Sequence, residues 1–459
     1  MPIALPDDLI TSVSGFRGKV GGALTPELIA SLAAAFGAFV SGDSDGGLVC
    51  LGRDSRTSGR MFSDAARAGL ISVGCRVVDL GVVPTPTLLL AAREAGATGG
   101  LGVTASHNPA EWNALKFAGP DGLFLDGQTM ERFLDFLKGD ALPRASWDAL
   151  EPVTEDPDAV ARHTSRILEL PFLAVDRIRE RAFHVALDCV HGAGGPMMTG
   201  LLEALGCRVT GLGLEVDGRF PRDPEPTAAN LSELCELVRE SGAALGMAVD
   251  PDVDRLSLVD SEGRTLGEDL TLALCAAGVL RDRKGPVVTN LSTSRVVEDV
   301  ANEAGVPFAR APVGEVNVAR RMERDGAVIG GEGNGGVILP ELHLTRDAPL
   351  AAALLLHHLA LEGVGLREAA DRWPSYRIVK EKLAFPRERI GDGYAALTKG
   401  FSGAEANTAD GLRLDWPDRR EWLHVRPSGT EPVIRIIGEA SQADRARELV
   451  SRARDLLLG

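Results

Sequence analysis

The pattern of apolar and polar positions repeats one arrangement three times along the chain. In each case a short apolar run predicts a buried strand, a polar loop follows, and a segment with helical periodicity leads to a second short strand. The predicted first strands are residues 47–52, 183–187 and 286–289, and the loops that follow them are residues 53–59, 188–195 and 290–294. Alternating strands and helices are typical of βαβ units, whose strands carry ligand-binding loops at their carboxyl ends.

A unit that recurs roughly every hundred residues predicts three similar α/β domains, because a solenoid would repeat every ~20–50 residues. The end of the chain differs: it predicts strands at 376–383, 421–426 and 433–439 and an amphipathic helix at 443–458, which indicates a smaller α+β domain. The proline-containing segment 140–158 is the best linker candidate. We therefore predict four domains, residues 1–150, 151–258, 259–370 and 371–459.

Composition narrows the class of protein. The chain has 459 residues, of which 44% are hydrophobic and 25% charged, so it can bury a large core without disulfides. Its formal net charge of −16 repels nucleic acid and anionic membranes, and neither is an expected partner. A ligand that carries phosphate must therefore be held by local basic groups.

The same sequence predicts a cytoplasmic protein. The first fifteen residues contain Asp7 and Asp8 and no basic residue, so no secretory signal is expected. The longest apolar run, 350–356, is far shorter than the ~20 residues of a membrane span. The six cysteines are scattered and form no Cys-x-x-Cys pair, which is typical of reduced, buried thiols.

The first loop with candidate chemistry is Thr104-Ala105-Ser106-His107-Asn108-Pro109, which follows an apolar, glycine-rich run. Asn-Pro favours a turn that would present the Ser106 hydroxyl. A serine hydroxyl is a weak nucleophile unless a base or a metal acts on it. On these residues alone, a polar turn with an incidental serine and histidine is the alternative.

The second loop, Asp250-Pro251-Asp252-Val253-Asp254-Arg255, follows a predicted strand. Three carboxylates this close repel one another unless a cation neutralises them, and hard oxygen ligands suit Mg²⁺. An extended segment would direct all three side chains the same way. An EF-hand is excluded because Arg255 and Ser261 stand where Gly and Glu are required. A solvated acidic turn is the alternative.

Two more loops complete the set. Residues 330–336, Gly-Gly-Glu-Gly-Asn-Gly-Gly, fail as a dinucleotide fingerprint because Val-Ile-Leu-Pro follows where a helix should begin. Glu332 and Asn334 are suited to binding vicinal hydroxyls, with an ordinary glycine turn as the alternative. Residues 426–432, Arg-Pro-Ser-Gly-Thr-Glu-Pro, combine a guanidinium, hydroxyls and loop N–H groups into an anion cradle, with an ordinary hairpin as the alternative.

Taken together and in this order, the four loops resemble those of the α-D-phosphohexomutase family, which includes phosphoglucomutase, phosphomannomutase and phosphoglucosamine mutase. The segments 14–19 (Ser-Gly-Phe-Arg-Gly-Lys), 24–26 (Leu-Thr-Pro) and 52–56 (Gly-Arg-Asp-Ser-Arg) look like further family signatures. The resemblance covers nearly the whole chain. It implies an α/β fold of three similar α/β domains with mixed sheets plus a smaller α+β C-terminal domain around a central cleft.

The resemblance also implies a role for each loop. Ser106 would carry a phosphoryl group, and Asp250, Asp252 and Asp254 would bind one Mg²⁺ together with an oxygen of that phosphate. The residues implied near the transferred phosphoryl group are Arg17, His107, Lys116 and Arg255. Glu332 and Asn334 would contact sugar hydroxyls. The non-reacting phosphate would be held by Arg426, Ser428, Gly429 and Thr430.

The implied activity is that of an intramolecular phosphotransferase, an isomerase. It would interconvert hexose 6-phosphate and hexose 1-phosphate through phosphoserine, with a hexose 1,6-bisphosphate as intermediate and activator. Phosphoryl transfer has a loose transition state, so the grouping of cations and carboxylates fits a reaction governed by positioning and charge neutralisation. The expected partner is a hexose phosphate, and the expected assembly is a monomer or a homodimer.

Two departures from the family pattern bear on the substrate. Many bacterial members read Gly-Glu-x-Ser-Gly-His in the sugar loop, whereas this chain has Gly336 in place of that histidine. Glu315 stands where some phosphomannomutase/phosphoglucomutase members have His. The Asn-Gly-Gly form is more similar to archaeal-type members, several of which act on glucosamine phosphate. The sequence thus favours phosphoglucosamine mutase, with phosphomannomutase/phosphoglucomutase as the alternative.

Two other classes of protein share part of the pattern. A haloacid dehalogenase phosphatase also places Asp-x-Asp after a strand, but it would not explain Ser106 or the Arg426 loop. A non-catalytic sugar-phosphate sensor could keep the repeats and the anion cradle, but it has no need for both the serine and the three carboxylates.

Overall fold

The first domain of the computed structural model contains a seven-stranded mixed sheet in the order β1-β2-β6-β5-β3-β4-β7. The model describes residues 3–42, 46–139, 142–428 and 433–459. The elements of the first domain are β1 (Ile10–Ser12), β2 (Gly15–Lys19), α1 (Pro26–Ser41), β3 (Leu48–Arg53), α2 (Gly59–Ile71), β4 (Arg76–Val82), α3 (Thr85–Glu94), β5 (Gly99–Val103), β6 (Trp112–Ala118), α4 (Gly127–Leu137) and β7 (Thr154–Glu155).

The second domain has a four-stranded sheet in the order β11-β10-β8-β9. Its elements are α5 (Ala159–Leu168), α6 (Val175–Arg181), β8 (His184–Asp188), α7 (Gly194–Ala204), β9 (Arg208–Leu212), α8 (Ser232–Ser241), β10 (Leu245–Val249) and β11 (Leu256–Asp260).

The third domain has a four-stranded sheet in the order β13-β12-β14-β15. Its elements are α9 (Asp269–Asp282), β12 (Val287–Asn290), α10 (Val296–Ala304), β13 (Phe308–Ala311), α11 (Glu315–Asp325), β14 (Ile329–Glu332), β15 (Gly336–Ile338), α12 (Ala348–Glu362) and α13 (Leu366–Ala370).

The three sheets share one topology, which confirms the predicted repeat. Each contains a common set of four strands, in the orders β6-β5-β3-β4, β11-β10-β8-β9 and β15-β14-β12-β13. In each set the last three strands are parallel to one another, and the first strand is antiparallel to its neighbour. The predicted first strands of the repeats correspond to β3, β8 and β12. Because the carboxyl ends of parallel strands lie at one edge of a sheet, each domain presents its loops at an equivalent edge.

The core explains why the second and third domains pack closely. One hydrophobic cluster extends from β8 and α7 through α9 to α12. Helix α12 is apolar around almost its whole circumference and is buried, as such a helix must be in a globular protein. In the described parts of the chain, no helix combines the length and the apolar character that crossing a membrane requires.

The C-terminal domain has a five-stranded antiparallel sheet in the order β16-β20-β19-β18-β17. The three predicted strands and the predicted helix are confirmed, whereas α14, β17 and β18 were not predicted from the sequence. The domain boundaries at residues 150, 258 and 370 stay predictions, and β7, just beyond residue 150, pairs with β4 in the sheet of the first domain. The elements of this domain are β16 (Arg377–Ala384), α14 (Ile390–Gly400), β17 (Glu405–Asn407), β18 (Leu412–Trp416), β19 (Glu421–Pro427), β20 (Val433–Ala440) and α15 (Ala443–Leu458).

A buried cluster around Asp347 fixes the start of α12. Asp347 Oδ1 accepts the backbone N–H of Leu350 at 2.9 Å and so caps the helix. Its Oδ2 accepts hydrogen bonds from His163 Nε2 at 2.7 Å and His343 Nε2 at 2.9 Å. Burial would raise the pKa of Asp347, but the two imidazoles lower it below its usual value. The cluster therefore holds the backbone next to Arg346 in one place.

Candidate active site

Ser106 lies in the loop between β5 and β6 and adopts a left-handed backbone conformation with φ of 49°. Such a conformation is uncommon for a residue with a side chain. Ser106 is buried, and its Oγ donates a hydrogen bond to Oδ2 of Asp250 at 2.7 Å. The turn therefore aims the hydroxyl at the carboxylates of the second domain.

The loop owes its shape to Arg56, which is buried at 1% exposure. Its two terminal nitrogens donate to four backbone oxygens at 2.5 to 3.0 Å, those of Ser106, Asn108, Pro109 and Trp112. Its Nε donates to Oδ2 of Asp54 at 3.0 Å. A guanidinium has five donors in a fixed plane, so one side chain can hold a whole loop.

The three aspartates of the second loop gather through a turn, not along an extended segment as the alternation suggested. Val253 has φ of 62°, and its left-handed conformation folds the chain back. Oδ1 of Asp250 accepts the N–H groups of Asp254 at 3.1 Å and Arg255 at 3.2 Å. One carboxylate oxygen from each of Asp250, Asp252 and Asp254 lies within 4.8 Å of the others.

This carboxylate cluster has the chemistry of a cation site. Lys116 Nζ and Thr85 Oγ1 each donate to Oδ2 of Asp252 at 2.8 Å. Within the described residues, the buried Oδ1 atoms of Asp252 and Asp254 have no hydrogen-bond partner. Burial and the neighbouring carboxylates raise the pKa of Asp250 well above its usual value. Unpartnered, buried carboxylate oxygens that repel one another are what a bound cation would satisfy.

Three further predicted residues surround Ser106. His107 Nδ1 lies 3.3 Å from Ser106 Oγ. Burial and the nearby cations Arg255 and Arg17 hold the pKa of His107 well below its usual value, so its imidazole is neutral at neutral pH. Arg17 donates to Oδ1 of Asn108, and Arg255 pairs with Glu225 at 3.0 Å. The structure thus brings together the residues predicted in the first two domains.

The third predicted loop is a tight hairpin between β14 and β15, so no helix follows the glycines, as expected. Glu332 is buried, and its Oε1 accepts Nδ2 of Asn290 at 2.7 Å and the N–H of Gly314 at 3.0 Å. Asn334 Oδ1 accepts the N–H of Gly336 at 3.2 Å. The hairpin presents Glu332 and Asn334 on the side of the second domain, where the Gly335 carbonyl accepts the N–H of Leu256.

The fourth loop lies at the end of β19. Arg426 pairs with Oδ2 of Asp410 at 2.9 Å, and the same oxygen accepts the N–H of Val313 at 3.0 Å. Ser428 is buried, whereas Gly429 and Thr430 lie outside the described residues. Because Val313 precedes the glycine whose N–H binds Glu332, the Arg426 end of the C-terminal domain lies close to the hairpin between β14 and β15.

Some residues of this centre were not assigned a role from the sequence. Arg56 belongs to the segment 52–56, which resembles a family signature. The carbonyls that it binds lie in another loop, and nothing in the sequence indicates which ones they are. Arg346 and Asp410 lie in segments that carry no recognisable motif, and their contacts with Asp254 and Val313 cross domain boundaries. Only the fold brings such residues to the site.

Four family models match the chain in order, and each describes one domain of phosphoglucomutase/phosphomannomutase. The α/β/α domains I, II and III match residues 9–140, 161–263 and 267–376, and the C-terminal domain matches residues 381–456. These matches together cover most of the sequence. The chain belongs to the phosphoglucomutase/phosphomannomutase family.

Individual proteins agree with this assignment. A Methanopyrus kandleri protein named "probable phosphoglucosamine mutase" is 38% identical over 95% of both chains. A "phosphoglucomutase/phosphomannomutase" of Thermococcus kodakarensis is 36% identical over 96% of this chain and 97% of its own. The crystal structure of a phosphoglucomutase/phosphomannomutase family protein from Burkholderia thailandensis superposes with a TM-score of 0.82 at 27% identity and covers 97% of each chain. The chain is accordingly an enzyme, a phosphohexomutase of the isomerase class.

Proposed function

We propose that the chain interconverts hexose 6-phosphate and hexose 1-phosphate through phosphorylated Ser106 and a hexose 1,6-bisphosphate. The observation that carries this proposal is the hydrogen bond from the buried Ser106 hydroxyl to Asp250, within a cluster of three carboxylates and Lys116. A phosphatase needs no such serine. A sugar-phosphate sensor needs neither the serine nor the carboxylates.

The residues present fit one Mg²⁺, which Asp250, Asp252 and Asp254 would hold together with an oxygen of the phosphoryl group on Ser106. When bound, Mg²⁺ would neutralise charge on the transferred phosphoryl group. Lys116 is already ion-paired with Asp252, so its ammonium is held at the same place. Arg17 and Arg255 add positive charge beside the serine loop in a protein whose net charge is −16.

The transfer itself exchanges one O–P bond for another. A sugar hydroxyl oxygen attacks the phosphorus on Ser106, the Ser106 Oγ–P bond breaks, and the hydroxyl proton ends on Oγ. The product is a 1,6-bisphosphate and free Ser106. After the bisphosphate turns around, its other phosphate returns to Ser106 by the reverse exchange, and the isomeric monophosphate leaves. Positioning accounts for most of the rate, because the transition state is loose.

The remaining loops would hold the sugar in both orientations. Glu332 would accept hydrogen bonds from sugar hydroxyls, and Asn334 would donate or accept them. Arg426, with Ser428, Gly429 and Thr430, binds the phosphate that is not being transferred. A guanidinium suits this task because it binds phosphate from either end of the sugar with paired, charge-assisted hydrogen bonds.

For the substrate we favour glucosamine phosphate, with mannose and glucose phosphates as the alternative. The Asn-Gly-Gly form of the hairpin and the name of the Methanopyrus kandleri relative support this choice. The test compares kcat/KM for the 1-phosphates of glucosamine, mannose and glucose, with the matching 1,6-bisphosphate at catalytic concentration. A higher kcat/KM for mannose or glucose phosphate would overturn the choice of sugar. The absence of turnover with all three would overturn the proposed interconversion of hexose phosphates.

Replacing Asp252 with Asn should weaken Mg²⁺ binding and lower kcat about 10- to 100-fold, because the cation loses one of three anionic ligands. Isothermal titration of the chelated protein with Mg²⁺ measures the first effect, and steady-state kinetics at saturating Mg²⁺ measures the second. Asp282→Asn, at the end of α9, is the control. Full turnover by exhaustively chelated wild type would contradict the metal site.

Replacing Arg426 with Ala should raise KM for hexose monophosphate about a hundredfold, because a charge-assisted phosphate contact contributes about 2–3 kcal/mol. Phosphorylation of Ser106 and Mg²⁺ affinity should change little, since both belong to other domains. Steady-state kinetics and intact mass spectrometry of the same variant check this. Arg447→Ala, an exposed arginine of α15, is the control. An unchanged KM would mean that another loop binds the second phosphate.

A further inference from the structure

Arg346 is a buried arginine that joins the carboxylate cluster of the second domain to the β14–β15 hairpin of the third, which is the proposed sugar-binding loop and is called the sugar hairpin below. One terminal nitrogen donates to Oδ2 of Asp254, and the other donates to Oε2 of Glu332 at 2.9 Å. Its Nε lies 3.3 Å from Oε2 of Glu315. The side chain is 9% exposed, so all three ion pairs are shielded from water.

The side chain of Arg346 occupies the space beside Gly336. A Cβ atom at position 336 would lie 2.2 Å from Cδ and 2.8 Å from Cγ of Arg346, closer than real atoms approach. The placement of Arg346 therefore requires a residue without a side chain at position 336.

The backbone holds Arg346 firmly at this point. Its own N–H donates to Oε1 of Glu315 at 2.9 Å, and the next N–H, that of Asp347, donates to the carbonyl of Val337 at 3.0 Å. The Asp347 cluster described above anchors the start of α12. These hydrogen bonds fix the point from which the side chain extends, and its three carboxylate partners hold the guanidinium.

We propose that Arg346 is a positioning residue that couples the aspartate loop 250–254 to the sugar hairpin, in space that only a residue without a side chain at position 336 leaves free. This inference rests on the proposed hexose phosphate reaction. Glu332 illustrates the consequence. Its Oε1 already accepts two hydrogen bonds and its Oε2 accepts one from Arg346, so one acceptor site remains for a sugar hydroxyl. Arg346 thereby determines the direction from which a sugar hydroxyl can donate a hydrogen bond to Glu332.

The same guanidinium links sugar binding to the state of Asp254. Asp254 Oδ2 is paired with Arg346, whereas its Oδ1 accepts no hydrogen bond and lies 3.6 Å from Nε of Arg255, so Oδ1 is the oxygen left for a cation. A cation bound there would compete with Arg346 for the charge of Asp254 and would so alter the ion pair between Arg346 and Glu332. Burial alone would lower the pKa of Arg346, but the carboxylates of Asp254, Glu315 and Glu332 hold it well above its usual value, so the group keeps its charge throughout.

The experiment measures binding and turnover in Arg346→Met, Arg346→Ala, Gly336→Ala and the double variant Gly336→Ala/Arg346→Ala. Arg321→Met, a partly exposed arginine of α11 paired with Asp325, is the control. Titration calorimetry gives the dissociation constant of the hexose monophosphate with and without Mg²⁺, and the ratio of the two constants is the coupling between the sites. Kinetics gives KM and kcat separately, and thermal unfolding shows whether each variant is folded.

We expect Arg346→Met to raise KM at least tenfold and to reduce the coupling ratio at least fivefold, whereas the control matches wild type. Gly336→Ala should have the same effects because its methyl group displaces Arg346. The double variant should be no worse than Arg346→Ala alone, since alanine leaves the space free. Wild-type KM and coupling in Arg346→Met, or additive losses in the double variant, would overturn the inference. A wild type that neither binds nor converts hexose phosphates would overturn the proposed function and the inference with it.

Discussion

Ser106→Ala should lower turnover at least about a thousandfold, equivalent to about 4 kcal/mol in the activation free energy. The Ser106 hydroxyl is the proposed acceptor and donor of the phosphoryl group, and no other hydroxyl can replace it in a transfer that depends on position. The backbone of Ser106 is held by Arg56 and its side chain by Asp250. Alanine removes only the oxygen, so the loop should keep its shape.

Two measurements on the same preparations test this expectation. Steady-state kinetics with 1,6-bisphosphate at catalytic concentration measures turnover, and intact mass spectrometry shows whether a phosphoryl group is attached. Wild type treated with bisphosphate should carry one phosphoryl group, and the variant should carry none. Ser63→Ala is a matched control, because Ser63 is a buried serine of the same domain whose Oγ lacks a hydrogen-bond partner among the described residues. Full turnover in Ser106→Ala would overturn the covalent mechanism.

The sequence predicted the repeat because the signal is local. Each first strand is an uninterrupted apolar run, and each polar loop begins where that run ends, so β3, β8 and β12 were found within one residue of their bounds. Helix α15 was predicted with the bounds that the structure gives it. Strands β17 and β18 were missed. β17 is exposed along its whole length, so it carries no apolar run for a pattern to detect.

The candidate site was predictable only in part, for a geometric reason. Ser106 and the three aspartates belong to short contiguous motifs, which can be recognised in the sequence alone. The turn that gathers the aspartates depends on the left-handed backbone of Val253, which no sequence rule favours for a β-branched residue. Arg346 and Asp410 act through partners in another domain, and sequence distance says nothing about such contacts.

Arg56 is the arginine whose loss should cost the enzyme most outside the reacting groups. Arg56→Met should lower the free energy of unfolding by about 3–5 kcal/mol, because Asp54 would remain buried without its charged partner. It should also lower kcat about 100- to 1000-fold. Four carbonyls of the serine loop would lose their donors, and a displacement of the Ser106 hydroxyl by about 1 Å costs about a hundredfold in rate.

Comparison of Arg56→Met with Arg56→Lys separates the loss of stability from the loss of position. Lysine keeps the charge beside Asp54 but cannot donate to four carbonyls and a carboxylate at once, so it should recover much of the stability and little of the kcat. Chemical unfolding measures the first quantity, and kinetics well below the unfolding temperature measures the second. Arg60→Met, an exposed arginine of α2, should change neither. If Arg56→Lys restored kcat in proportion to stability, Arg56 would act only through charge, and the hydrogen bonds to the loop would have no part in placing Ser106.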